Sequence, residues 1–417
     1  MKRSFMLFVI AAMIGGFVVG MAIHGTMSPE GAAQAATYFN QVTSIFLRLI
    51  KMIIAPLVLT TLTAGIGHIE SAATVGRIGT KAMIWFLSAS FVSLVIGLLA
   101  VNILQPGVGA GIAQAAGAAA ETGVGPAQGM SGFFEHLIPA SIFDALAKNE
   151  ILQVVVFSLF AGIAISAVGE KAKGLLHIIE QGATVVLKIT TYVMMFAPFA
   201  IFAAIAGAFS TQGIGILATY AKLVGSFYLA ILILITCMVS VAALILRRQT
   251  GQVLRAIRAP SLIAFSTSTS EAAFPLLLES LEAMGFNSKI VSFVLPLGYS
   301  FNLDGSTMYC TFAAMFIAQA YDIHISIPQQ ILMLLMLMVT SKGIAGVPRA
   351  SLVVVAATLP YFGLPEHGLL LILAVDHLMD MGRSATNVIG NGLASAVVAK
   401  WEGARLMPES ERPEALV

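Results

Sequence analysis

Residues 369–400 read LLLILAVDHLMDMGRSATNVIGNGLASAVVAK. About 20 helical residues cross the hydrocarbon core of a bilayer, so the stretch is long enough to span one. Its middle nevertheless holds Asp376, Asp380, Arg383, Asn387 and Asn391, at spacings of 4, 3, 4 and 4. At roughly 100° per residue all five fall within a sector of about 80°. One face of the helix is therefore a column of two carboxylates, a guanidinium and two carboxamides. A charge at mid-bilayer costs about 2.5–3.5 kcal/mol on the most lenient scale, so this face must look into protein or a wet cavity. An ion pair of Asp380 with Arg383 at i,i+3 is one reading of it. That reading alone leaves Asn387 and Asn391 without a reason, whereas a solute- or ion-binding face accounts for the whole column.

The rest of the chain is of the same kind. Of its 417 residues 58% are hydrophobic and only 10% charged, with a mean hydropathy of +0.94. Soluble globular chains do not have this composition. Long apolar runs, not short alternating strands, make it an all-α polytopic membrane protein rather than a barrel. Cys237 and Cys310 both sit in apolar segments without zinc spacing, and no disulfide is expected. No basic patch with interleaved aromatics supports binding to nucleic acid. No metal triad or nucleophile–base pair supports an enzyme. Lys2 and Arg3 precede an apolar run in the manner of a signal peptide. The run continues to about Ile23, however, and reads better as a first span.

In order, spans are expected over about 4–24, 38–66 and 83–104, with linkers at 25–37 and 105–129. A broken fourth follows, with pieces near 133–137 and 152–167. The fifth, 175–208, is kinked by Pro198, and the sixth covers 217–246. Lys/Arg clusters lie at the N-terminus, at 77–81, 171–173, 247–258 and 400–405, while the linkers 25–37, 105–129, 321–327 and 361–368 have none. The positive-inside rule then puts both termini in the cytoplasm.

From residue 251 the pattern changes. Two apolar arms of about ten residues, too short to cross, flank Ser266-Thr267-Ser268-Thr269-Ser270-Glu271. This reads as a re-entrant hairpin entering from the cytoplasm. A seventh span, 290–320, is interrupted over Gly298–Ser306. A second pair of arms, 328–339 and 352–362, flanks the tip 340–351 and reads as a hairpin entering from outside. The polar helix follows as the eighth span. Inverted repeats with broken helices near mid-membrane are the sequence signature of a secondary transporter, because irregular backbone survives at that depth only against protein or water.

The chemistry follows from the residue types. Unwound carbonyls over Gly298–Ser306, the Asn302 amide oxygen and the Asp304 carboxylate are hard oxygen ligands suited to an alkali cation. Asn302 and Asp304 can equally cap freed amides, and the two roles are compatible. The hydroxyl-rich tips offer N–H groups and helix N-termini to a carboxylate. Arg383 suits a second carboxylate in bidentate fashion, and Asp380 an ammonium. Together these fit an acidic amino acid.

The tip STSTSE, the break NLDGS, the tip SKGIAGVP and the segment DMGRSATNVIGN, with RLIKMIIAPLV in the second span, resemble the dicarboxylate/amino acid:cation symporters, the glutamate transporter family. The resemblance covers nearly the whole chain. It implies eight transmembrane helices plus two re-entrant hairpins in a homotrimer of independent, elevator-type protomers in a bacterial-type inner membrane. It divides the chain into 1–82, scaffold helices 1 and 2; 83–104, helix 3 of a transport domain; 105–210, external loop and scaffold helices 4 and 5; and 211–250, helix 6 of the transport domain. The remainder is hairpin 1 (251–287), helix 7 (288–322), hairpin 2 (327–363), helix 8 (366–402) and a cytoplasmic tail (403–417). No resident cofactor is implied, only co-transported sodium or protons.

Carried over by motif, the substrate site comprises Ser268, Thr269 and Ser270, then Gly346, Val347 and Pro348 with Arg349 beside them, and Asp380, Arg383, Ser384 and Asn387. The resemblance gives Asp380 the substrate's amino group and Arg383 its distal carboxylate. One sodium site uses Gly298, Asn302, Asn387 and the position of Asn391. A second uses carbonyls near Ser300 and over Ser341–Ile344. A third uses Asn302 and Asp304 with side chains of helix 3. This chain departs from that pattern. Sodium-coupled members carry Asp where Asn391 stands. Phe86 and Ala89 replace a Tyr and a Thr on helix 3, leaving Ser90. Cys310 stands where eukaryotic relatives carry a proton on Glu, while Glu271 follows Ser270 as in some proton-coupled members. C4-dicarboxylate carriers lack an Asp at the position of Asp380, so its presence favours acidic amino acids. The alternatives are a C4-dicarboxylate:cation symporter and, in another class, a passive anion channel.

Overall fold

The computed structural model describes residues 3–67, 73–110, 138–148, 150–286, 288–343 and 350–403. Among them there is no strand, and the apolar runs form sixteen α-helices joined by short 3₁₀ turns. In order these are α1 (Arg3–Thr26), α2 (Pro29–Gly67), α3 (Ala73–Leu104), α4 (Ile142–Lys148), α5 (Ile151–Val168), α6 (Lys173–Met194), α7 (Ala197–Gln212) and α8 (Gly215–Leu246). Then come α9 (Thr250–Thr267), α10 (Phe274–Ala283), α11 (Ser288–Phe301), α12 (Asp304–Ala320), α13 (Ile327–Thr340), α14 (Ala350–Thr358), α15 (Leu369–Leu373) and α16 (Asp376–Trp401). By length and composition, the helical runs Arg77–Leu104 and Gly215–Thr267 can each cross a membrane. Val156–Val193 with Ala197–Gln212, bent by 45°, makes a third.

Several boundaries differ from those expected. The linker at 25–37 shrinks to two residues, because α2 starts at Pro29. Proline suits the first helical position, where its missing N–H has no partner to lose. The Ser28 hydroxyl accepts the Gly31 N–H at 3.3 Å, the usual service of a serine N-cap. The fifth span is two helices, broken at Met195 and Phe196 with Pro198 in the first turn of α7. A prolyl ring clashes with the carbonyl four residues back, so the chain bends there. Helix α3 starts ten residues early, and α9, at 18 residues, exceeds the short arm expected. The first piece of the fourth span, 133–137, lies outside the described residues.

Packing runs in two sets. Helix α1 lies along α7, and α2 packs against α5, α6 and α7. Small residues permit this closeness: a Cβ on Gly20 would stand 2.7 Å from Phe209 Cβ and 2.8 Å from the Ala206 carbonyl. Beside them the Phe17 and Phe209 rings meet edge to face at 4.9 Å. In the second set α16 is the hub, touching α8, α9, α11 and α12, while α3 packs on α12, α8 and α11. Helix packing without a solvent-driven force rests on such close contact.

Helices α9 and α10 pack together and are joined through Ser268, which holds the left-handed conformation at φ +53°. Non-glycine residues rarely take it, and then mostly at functional turns. The seventh span breaks only at Asn302 and Leu303, more narrowly than the sequence suggests. The eighth is broken too, at Ala374 and Val375, so the polar column begins at a helix N-terminus.

Candidate functional site

The site forms where α16 meets the break between α11 and α12. Glycines allow the approach. A Cβ on Gly305 would collide with the Arg383 carbonyl, one on Gly298 with Asn391 Oδ1, and one on Gly390 with Asp304 Oδ2. All five members of the column are buried, Asp376 and Asp380 to 1% exposure and the other three to 0%. Its amphipathic spacing therefore faces protein, as the cost of charge in lipid requires.

Arg383 is the largest fully buried side chain among the described residues. Its Nε donates to Asp380 Oδ1 at 2.5 Å, and Nη2 pairs with the same oxygen. Nη1 donates to Ser306 Oγ at 2.7 Å and to Ser351 Oγ at 3.0 Å. The Asn387 amide donates to Ser306 Oγ at 2.9 Å and accepts the Ser306 N–H at 3.2 Å. One guanidinium thus ties α16, the N-terminus of α12 and the N-terminus of α14 together. Asp380 and Arg383, given separate tasks by the family resemblance, neutralise each other here. At the top of the column the Tyr309 hydroxyl donates to Asp376 Oδ1 at 2.5 Å.

A second cluster is rich in oxygen. The Asn302 amide donates to Asn391 Oδ1 at 3.3 Å, while Asn302 Oδ1 and both Asp304 carboxylate oxygens, all buried, have no hydrogen-bond partner among the described residues. Burying a carboxylate that way costs several kcal/mol unless an opposite charge or a proton arrives. The donor set fits a cation. Ser93 Oγ donates to the Asp304 carbonyl at 2.5 Å. Beside it, Lys342 Nζ donates to Ser90 Oγ at 2.5 Å and to the Phe301 carbonyl at 2.8 Å, and its charge acts on Asp304.

Of the first tip, Ser268 and Ser270 are buried, Thr269 is half-buried and Glu271 is exposed. Ser268 Oγ has no hydrogen-bond partner among the described residues, and the Tyr299 hydroxyl donates to the Ser270 carbonyl at 2.9 Å. Ser384 is buried and Ser300 half-buried. Ser341 is buried with its Oγ without a partner among the described residues. Ile344, Gly346, Val347, Pro348 and Arg349 lie outside the described residues. Sequence reasoning gave no side-chain role to Ser93, Ser306, Tyr309, Lys342 or Ser351. Ser306 follows the NLDG break directly and Ser351 closes the second tip, so position was a usable signal for those two. Nothing in the spacing marks Lys342 or Ser93.

At the far end of α16 the Glu402 carboxylate accepts Arg77 Nη2 and Lys81 Nζ, each at 2.6 Å. Hydrogen bonds from Arg77 and Lys81 hold its carboxyl below the usual range.

A helical, membrane-type chain in which broken helices meet over a buried ion pair and a nest of oxygens unpaired among the described residues belongs to the class of solute transporters. A model of the sodium:dicarboxylate symporter family matches residues 5–401, and the chain belongs to that family. It is 38% identical over 400 residues to the proton/sodium-glutamate symport protein of Geobacillus stearothermophilus, covering 95% of this chain and 94% of that one. It is 40% identical over 406 residues to the C4-dicarboxylate transport protein 2 of Polaromonas naphthalenivorans, covering 96% and 89%. To the proton/glutamate-aspartate symporter of Escherichia coli the figures are 38% over 402 residues, 94% and 92%.

Proposed function

We propose that this protein is a secondary active symporter that takes up glutamate or aspartate together with sodium ions or protons. The observation that carries the reading is the buried Asp380–Arg383 pair with Ser306, Ser351 and Asn387 around it. A zwitterion with a distal carboxylate can replace each half of that pair with its own opposite charge. Its ammonium goes to Asp380 and its distal carboxylate to Arg383, so each half of the pair keeps an opposite charge, while its α-carboxylate falls to the N–H groups of the hydroxyl-rich tips. Glu271, exposed at the first tip, is the proton-carrying candidate, and the cluster of Asn302, Asp304 and Asn391 is the cation-binding one.

The architecture we propose has eight spans and two re-entrant hairpins in inverted repeats, both termini cytoplasmic, in a bacterial-type inner membrane. It is supported by the two sets of packed helices, which suit a scaffold and a moving body in an elevator, and by family membership, which suits a homotrimer. A C4-dicarboxylate substrate is the second reading, supported by the likeness to the Polaromonas carrier. Uptake of labelled aspartate, glutamate and succinate into proteoliposomes, with sodium and proton gradients imposed separately, tests both. Concentrative aspartate or glutamate uptake is expected. Preference for succinate would replace the first reading by the second, and flux that never exceeds equilibrium would leave only a passive anion channel.

A further inference from the structure

The second hairpin carries a positive charge into the oxygen cluster. Lys342 sits on the 3₁₀ turn Ser341–Gly343 at the end of α13, and only 9% of it is exposed. Its ammonium donates to the one hydroxyl that α3 contributes to the implied third cation site, Ser90 Oγ at 2.5 Å. It also donates to the Phe301 carbonyl at 2.8 Å, where α11 ends at the break. An oxygen that accepts a hydrogen bond at such a distance cannot present the same lone pair to a metal ion, and two of them converge on one nitrogen. Phe86, fully buried, and Ala89 offer no oxygen in exchange. The neighbouring Asp304 is fully buried with neither carboxylate oxygen hydrogen-bonded among the described residues. Each charge alone would be expensive at that depth. The Lys342 charge acts on Asp304 without a direct hydrogen bond to it, and Lys342 is long enough to supply from a loop what the helices lack.

We propose that the Lys342 ammonium stands in the place of a co-transported cation between Ser90, the Phe301 carbonyl and Asp304. It is a counter-ion built into the second hairpin that removes one sodium ion from the transport cycle. This rests on the symporter reading only for its consequence. The assignment itself concerns the unliganded protein.

The test is thermal unfolding of the purified, substrate-free, full-length protein in sodium chloride and in choline chloride at equal ionic strength. Lys342→Ala vacates the place, so sodium should raise its midpoint by several degrees more than it raises that of the parent. The extra rise should disappear in Lys342→Ala/Asp304→Asn. An equal sodium response in parent and Lys342→Ala overturns the proposal. If Lys342→Ala does not fold, Lys342→Met/Asp304→Asn decides, because removing both charges should restore folding. Failure of that double variant, with Asp304→Asn alone folded, overturns the proposal as well. Parent proteoliposomes that take up no substrate would remove the symporter reading and leave this assignment untouched.

Discussion

Arg383 divides its guanidinium among partners from three helices: Asp380 on α16, Ser306 on α12 and Ser351 on α14. Each contact is a charge-assisted hydrogen bond, worth about 1.5–3 kcal/mol. Arg383→Cys should therefore weaken glutamate or aspartate binding by about 1.5–3 kcal/mol, and the site, with Asp380 no longer bonded to Arg383, should then accept neutral amino acids. Titration calorimetry on purified protein checks this, and undiminished aspartate affinity would remove Arg383 from the site. At the C-terminal end of α16 the sign of a pH effect follows from Glu402. Its carboxyl titrates below the ordinary value of 4.5 because Arg77 and Lys81 donate to it. The stability it contributes is complete above that ordinary value and is lost as pH falls through the lowered one. Melting curves should show Glu402→Gln less stable than the parent at pH 7, with the difference closing below about pH 4.5.

Among the elements, the clearest physical demand is the seam of α1 and α7. A side chain added at Gly20 meets both Phe209 Cβ and the Ala206 carbonyl within 3 Å. The second is backbone and cannot swing aside. Overpacking of this kind costs about 1–3 kcal/mol. Gly20→Val should lower the melting temperature, whereas Gly25→Ala, with nothing within 4 Å, should not. The proposed hairpins make a different demand. With Cys237 and Cys310 replaced, a membrane-impermeant thiol reagent should reach Ala272→Cys, exposed beside the first tip, from the cytoplasmic side. It should reach Ala350→Cys from outside and be slowed there by substrate. Labelling of both from one side, regardless of substrate, would exclude hairpins of opposite entry.

For the molecule as a whole the open quantity is what drives the cycle. Two features are the grounds for proposing a smaller part for sodium: Asn391 is neutral where the family resemblance implies an Asp, and Lys342 lies against Ser90 and the Phe301 carbonyl. Glu271 is an exposed carboxylate of the first tip. In a proton-driven carrier Glu271→Gln should abolish concentrative uptake in proteoliposomes and spare exchange of internal for external substrate, which moves no net proton. In a sodium-driven carrier the same substitution should be mild, while Asp304→Asn should remove sodium-dependent binding. Uptake that persists with the pH gradient collapsed and fails without sodium would assign the cycle to sodium.

Composition and the 3.6-residue period were enough, by themselves, to read helices throughout, the break at Asn302, the left-handed serine tip as a non-helical point, and the polar column of α16 as a buried face. Those properties are local: a helix face and a desolvation cost can be read from spacing and residue type alone. Boundaries set by one or two residues were less legible: Pro198 marked a kink in the fifth span but not that Met195 and Phe196 would leave the helix, and nothing in residues 369–376 marked the break at Ala374–Val375. Long-range partners were not legible at all. Ser306 and Arg383 lie 77 residues apart and Ser90 and Lys342 lie 252 apart. Their meeting follows from glycines that let α11, α12 and α16 close to backbone contact. No periodicity records where a lysine on a loop will place its charge; only the packed structure decides that, because the oxygens it meets, Ser90 Oγ and the Phe301 carbonyl, come from helices far away in the chain.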